Sequence, residues 1–84
     1  MKRVRLSRHA AGYAKMRGFT EAEVEQAIKT CLWEPAELGR LQCRLNLPYG
    51  EQWHGKVYQT KQVRPRFVEE PDQILVVTVY TYYF

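Results

Sequence analysis

The sequence is poorest in the residues on which most recognisable chemistry depends. Serine occurs once, at Ser7. A Ser-His-Asp hydrolase is unsupported, because that hydroxyl is placed to cap a helix. Cysteine occurs twice, at Cys31 and Cys43. Neither belongs to a CxxC pair or to the disulfide framework of a small secreted domain. With His9 and His54 they are the only soft ligands, and none has zinc-finger or HExxH spacing. No metal and no cofactor is expected. No glycine-rich loop is present to hold nucleotide phosphates. No apolar run approaches the ~20 residues of a membrane span, and the stretch before the cysteines does not read as a signal peptide. These absences lead to the expectation of a cytoplasmic protein with reduced thiols and no membrane partner.

What is present suits one small globular domain, residues 1–84. Hydrophobic residues make up 45% of the chain and charged residues 26%, which argues against disorder. Thirteen Lys and Arg face nine Asp and Glu, a net charge of +4. That excess permits a polyanionic partner without demanding one. Its distribution says more. Lys2, Arg3, Arg5, Arg8, Lys15 and Arg17 lie in a stretch with no acid, and Lys56, Lys61, Arg64 and Arg66 form a second group. This is either a nucleic-acid footprint or scattered solvating charge.

Lys2-Arg3-Val4-Arg5-Leu6 reads as a short edge strand with Val4 and Leu6 inward. Ser7 caps a helix over about Arg8 to Arg17, closed by a left-handed Gly18. Thr20-Glu21-Ala22-Glu23 is a capping box, and the helix it opens places Val24, Ala27, Ile28, Cys31 and Leu32 on one face. Pro35 follows its end. Leu41, Cys43, Leu45 and Leu47 alternate with polar residues as a half-buried strand, and Pro48-Tyr49-Gly50-Glu51 reads as a turn. Trp53 to Thr60 and Lys61 to Glu69 are two further strands. Pro65 puts the second of these at an edge, a bulge or an unpaired position. Glu70-Pro71-Asp72-Gln73 is a hairpin turn. Ile74 to Phe84, with no Gly or Pro, is a long central strand. The expected fold is α+β: two N-terminal helices on one face of an antiparallel sheet of three to four strands, in the order β-α-α-β-β-β.

Strict alternation along the last strand turns Leu75, Val77 and Val79 toward the helices. Ile74, Val76, Thr78, Tyr80 and Tyr82 then face the open side. Arg64 and Arg66 alternate together on the neighbouring arm, with Lys61 at its start. If register puts them on the face of Tyr80 and Tyr82, guanidinium and aromatic groups form a platform for single-stranded RNA. The competing reading puts the tyrosines in a core or a homodimer contact. Four-residue steps place His9, Tyr13 and Arg17 on one helical stripe. His9 suits proton transfer at neutral pH, or else it is a helix-start residue bonded to a strand carbonyl.

Ser7-Arg8-His9-Ala10, Arg17-Gly18-Phe19-Thr20 with an acidic helix ending before Pro35, and Val76-Val77-Thr78-Val79-Tyr80 together resemble domain of unknown function 4258. Lys61-Gln62-Val63-Arg64-Pro65, Phe67-Val68-Glu69-Glu70 and Tyr80-Thr81-Tyr82-Tyr83-Phe84 resemble a subgroup of it. The resemblance spans nearly the whole chain. It implies a RelE/ParE-like or barnase-like endoribonuclease fold, as in toxins of toxin-antitoxin systems, with metal-independent RNA cleavage and a small antitoxin as partner. His9 then matches the family's helix histidine, Arg17 its helix-end arginine, and Thr78 and Tyr80 its terminal-strand polar pair. A non-catalytic protein- or RNA-binding module and a homodimeric structural protein stand as alternatives.

Overall fold

A computed structural model of the chain describes residues 2–84. The class is α+β, with three short helices and six strands. Strand β1 is Arg3–Leu6, helices α1, α2 and α3 are Arg8–Gly12, Ala14–Arg17 and Glu21–Thr30, and β2 is Glu34–Pro35. Strands β3, β4, β5 and β6 are Leu41–Gln42, Leu45–Trp53, Lys56–Glu69 and Gln73–Tyr83. The open sheet runs β1-β6-β5-β3-β2, and β4 pairs with the other stretch of the β5 edge that β3 uses. Only β1 and β6 run parallel; the remaining pairs are antiparallel.

Local chemistry explains the helix boundaries. The Ser7 hydroxyl accepts from the Ala10 amide at the start of α1. The expected single helix to Arg17 is instead interrupted: α1 ends at Gly12, and Tyr13 takes non-helical angles before α2. Glycine in a helix interior loses backbone entropy, which makes this the weak point of the segment. Gly18 closes α2 with φ +77. A side chain there would also strike the Trp53 ring, at 2.6 Å from an added Cβ. The capping box of α3 forms in both directions, Glu23 amide to Thr20 hydroxyl and Thr20 amide to Glu23 carboxylate. Cys31 is already extended, so Leu32 leaves the helical face and stands 89% exposed. Trp33 closes the end instead, donating its indole N–H to the Ile28 carbonyl at 2.8 Å.

The strands depart from expectation where proline and glycine misdirect. Pro48-Tyr49-Gly50-Glu51 is no turn but an irregularity inside β4, with the register shifting between Pro48 and Glu51. The turn is His54-Gly55, both at positive φ (51 and 82). Two left-handed central residues are what a tight two-residue hairpin requires. Trp53–Thr60 and Lys61–Glu69 are accordingly not two strands, because β5 continues unbroken from Lys56 to Glu69. Fourteen residues at about 3.3 Å each match the 42 Å long dimension of the molecule. The strand expected from Leu41 to Leu47 breaks at Cys43-Arg44. There the Cys43 amide donates to the Pro65 carbonyl at 3.4 Å. A strand residue's N and C=O point to the same side, so the amide hydrogen that Pro65 lacks falls in the gap between β3 and β4. Pro65 thus has no ladder partner on that side of an interior strand, where only its carbonyl is bonded, by Cys43. The Glu70–Gln73 turn is closed by the Glu70 amide on the Gln73 carbonyl.

One face of the sheet carries the core. Ala10, Phe19, Val24, Ala27 and Ile28 meet Val4, Cys43, Leu45, Val63, Phe67, Ile74, Val76 and Val79. Burial pushes the Cys43 thiol up to about 12, with Cys31 and Glu34 adding to it. A thiol held neutral in this way is unreactive at neutral pH.

The division of β6 into two faces needs correction. Phe67 pairs with Val76 and Arg66 with Thr78, which leaves Val77 opposite nothing. This one-residue bulge reverses the alternation. Before it, Ile74 and Val76 are buried; after it, Val79 is buried, while Thr78 and Tyr80 are half-exposed and Tyr82 is exposed. Ile74 and Val76 therefore belong to the helix side, and Leu75 lies on the open side.

Candidate nucleic-acid interface

The open face is built from the outward residues of β5 and β6. Val63 and Phe67 point into the core, so Gln62, Arg64 and Arg66 point out. They pair across the strands with Tyr82, Tyr80 and Thr78 respectively. Directly opposed residues share a face, so all six stand together. The Arg64 guanidinium lies 4.5 Å from the Tyr82 ring centroid, and that of Arg66 lies 5.2 Å from Tyr80.

Arg17 enters from the far side of β6. Strand β1 covers only Gln73 to Val76, so the edge beyond is left to α2. Arg17 Nη1 donates to the Val79 carbonyl at 2.8 Å and to the Thr78 hydroxyl at 3.3 Å. In return the Thr81 hydroxyl donates to the Arg17 carbonyl, as does Tyr83 at 3.1 Å. The Arg17 guanidinium is thereby fixed 4.2 Å from the Tyr13 ring and 5.3 Å from the Tyr80 ring. Tyr80 has Arg66 on its β5 side and Arg17 on its free-edge side. Tyr13 continues the chain to His9, edge to face at 4.9 Å. His9 is exposed. The stripe His9, Tyr13, Arg17 survives the break in the helix.

Lys61 does not join this group. Its side chain is 11% exposed and lies on the helix side. The ammonium meets both Glu23 oxygens, at 2.8 and 3.0 Å, and the Gly18 carbonyl at 3.0 Å. An inward position on β5 with a fully supplied counter-ion makes it a strut between α3 and the sheet.

The open face is rich in arginine, with Glu34 at its β2 edge, paired across to Gln42. Val4 points inward, so Arg3 and Arg5 point to the open face, and both are exposed. Among the described residues, Arg3, Arg5, Arg17, Arg64 and Arg66 have no carboxylate within ion-pair distance. The acids Glu21, Glu23 and Glu25 lie on α3, in the opposite layer. Arg44 is neutralised by Glu34, at 2.9 Å. The arginines are oriented by amides: Arg64 Nη2 donates to Gln62 at 2.8 Å, and Arg66 Nε to Gln42 at 3.3 Å. Arg64 Nε is shielded and has no partner.

Arg17, Thr78, Tyr80, Tyr82, Arg64 and Arg66 are brought to one surface, with His9 linked through Tyr13. Sequence reasoning passed over Gln42, Asn46 and Gln62, which hold the arginines or extend their rows. For Gln62, parity with Arg64 and Arg66 on the same strand was the available signal; Gln42 and Asn46 join only through the register of β3 and β4 on β5. Among the described residues, no cavity is enclosed and no three His, Cys, Asp or Glu side chains gather as metal ligands. No described helix is long and apolar enough to cross a membrane. No protein-family model, curated protein or solved structure matches the chain.

Proposed function

We propose that the protein binds single-stranded RNA across the open face of its sheet and cleaves it as a RelE-like endoribonuclease of the domain-of-unknown-function-4258 type. The observation that supports this most is the pair of arginines on Tyr80. Arg17 and Arg66 approach it from opposite sides of β6, and neither has a carboxylate partner. A guanidinium held by carbonyls, amides and rings keeps its charge free for an incoming anion. Held on opposite sides of one ring, at 5.3 and 5.2 Å from its centroid, they suit successive phosphates of one strand.

In the reaction, the ribose 2′-hydroxyl attacks the adjacent phosphorus while His9 removes its proton. The O2′–P bond forms and the P–O5′ bond breaks. The leaving oxygen takes up a proton from solvent, giving a 2′,3′-cyclic phosphate and a free 5′-hydroxyl, and His9 releases the proton it took to solvent. Arg17, linked to His9 through Tyr13, stabilises the negative charge that develops on the phosphoryl oxygens, and Arg66 and Arg64 hold the phosphates beside it. Tyr82, 43% exposed, is the tyrosine beside these arginines most available for base stacking. Tyr80 has cations on both sides and acts as their spacer. A small antitoxin would inhibit by covering these same arginines.

A binding module without turnover is the second reading. His9 supports it by touching none of the arginines directly. The test uses end-labelled single-stranded RNA with the wild type, His9→Ala and Arg66→Ala. His9→Ala is expected to keep its affinity and lose about 10²- to 10⁴-fold in cleavage. Cleavage at the wild-type rate in His9→Ala would leave the binding reading alone standing. Absence of salt-sensitive RNA binding by the wild type would remove both.

A further inference from the structure

The open face is ordered in rows across the strands, and one row differs from its neighbours. Asn46 on β4 pairs with Gln62 on β5, which pairs with Tyr82 on β6. An exposed ring therefore stands at the end of two adjacent amides. The next row is Arg64 with Tyr80, and the one after is Glu34, Gln42, Arg66 and Thr78. Arg64 and Arg66 belong by pairing to the second and third rows. The first row's own side chains carry no charge, and the Arg64 guanidinium leans into it, onto Gln62 and one side of the Tyr82 ring.

The amides in the first row are oriented. Gln62 Nε2 donates to Asn46 Oδ1 at 2.9 Å, and Gln62 Oε1 accepts from Arg64 Nη2 at 2.8 Å. Each amide nitrogen keeps a spare hydrogen and each oxygen a spare lone pair. An amide offering donor and acceptor side by side complements a base edge with the opposite pair, which adenine presents on both its Watson–Crick and Hoogsteen edges and cytosine and uracil on the Watson–Crick edge alone. A base stacked on Tyr82 would bring its edge over Gln62, one strand spacing (about 4.8 Å) away. The phosphate beside it would meet Arg64, whose Nε has no protein acceptor. A buried N–H without a partner is uncommon in a folded protein, and a phosphate oxygen would satisfy it after a small shift of the side chain.

We propose that the row Asn46–Gln62–Tyr82 is a base-reading subsite selective for adenine, with Tyr82 stacking the base and the Gln62 and Asn46 amides reading its edge. The proposal rests on RNA binding at this face and adds the specificity to it. Because the amides are neutral and the arginines are charged, the two contributions separate experimentally. Amide contacts set base preference, and arginine contacts set the dependence on salt.

The experiment measures affinity for short oligo(A), oligo(C) and oligo(U) RNAs over a range of salt. The wild type is expected to prefer oligo(A) by about 5- to 150-fold, the range for one bidentate base contact. Gln62→Ala and Asn46→Ala are expected to reduce that preference while leaving the salt slope unchanged. Gln62→Glu, which can only accept, is expected to move the preference toward oligo(C) and its N4 donor. Arg64→Ala is expected to weaken all three RNAs alike and reduce the salt slope by about one. Equal affinity of the wild type for the three RNAs would overturn the subsite while leaving RNA binding intact. An oligo(A) preference that survives Gln62→Ala and Gln62→Glu would do the same. Binding to none of them would overturn the proposed function, and the subsite with it.

Discussion

Strand β5 presents two alternating sets of side chains, and each contains cations. Inward are Lys61, Val63, Pro65 and Phe67; outward are Gln62, Arg64, Arg66 and Val68. On the inner side the single cation meets a carboxylate and a carbonyl at close range. A buried charge without such partners would be costly. On the outer side two cations lie against tyrosine rings and amides, with no carboxylate. Where the charge serves the fold, the chain supplies the counter-ion. Where it does not, the counter-ion is left to a partner.

Three substitutions along this strand would break or sharpen that division. The largest effect belongs to Phe67, fully buried and edge to face with Trp33 at 5.0 Å. Phe67→Ala is expected to cost about 3–5 kcal/mol in urea unfolding. A loss below 1 kcal/mol would show that the inner side is not the core. Lys61→Met comes next. It leaves the Gly18 carbonyl with only the long Tyr83 hydroxyl contact at 3.5 Å and weakens the hold on Glu23, an expected cost of about 1–3 kcal/mol. Added salt should weaken the wild-type pair only slightly, because it is largely shielded. The smallest effect on stability is expected from Arg66→Gln, within about 0.5 kcal/mol of the wild type. Its RNA affinity should nonetheless fall, with the salt slope reduced by about one. An Arg66→Gln protein as unstable as Lys61→Met would make both cations structural and erase the distinction.

The features legible in the sequence are those decided by neighbouring residues. Ser7 and Thr20 cap because the groups they bond lie three residues away. Gly18 and the Pro71-Asp72 turn declare themselves by backbone preference alone. Pro48-Tyr49-Gly50 carries the same vocabulary and misleads, since a β-irregularity and a turn both favour such residues. The true turn begins at His54, which has no special turn preference and is driven to positive φ by the hairpin it closes. The bulge at Val77 has no local mark. Val76-Val77-Thr78-Val79 is uniformly β-branched, and only the register against β5 reveals the extra residue. The grouping of Thr78, Tyr80 and Tyr82 on one side was readable because they lie together beyond the bulge. The Ile74 and Val76 assignment, which crosses it, was not. Register also decides the partners of Arg64 and Arg66, and no spacing within one strand can supply it.

Val77 acts on β6 as a frameshift acts on a message. Upstream of it the even positions Ile74 and Val76 are read into the core; downstream the odd positions Val79, Thr81 and Tyr83 are. Both halves thus carry an inward and an outward set, in opposite phase. Changes at Ile74, Val76 and Val79 are tested by packing, and changes at Thr78, Tyr80 and Tyr82 by the surface they display. A second insertion of one residue near this point would return Thr78, Tyr80 and Tyr82 to the interior and take the aromatic half of the interface with them. A pair of inserted residues would keep the phase.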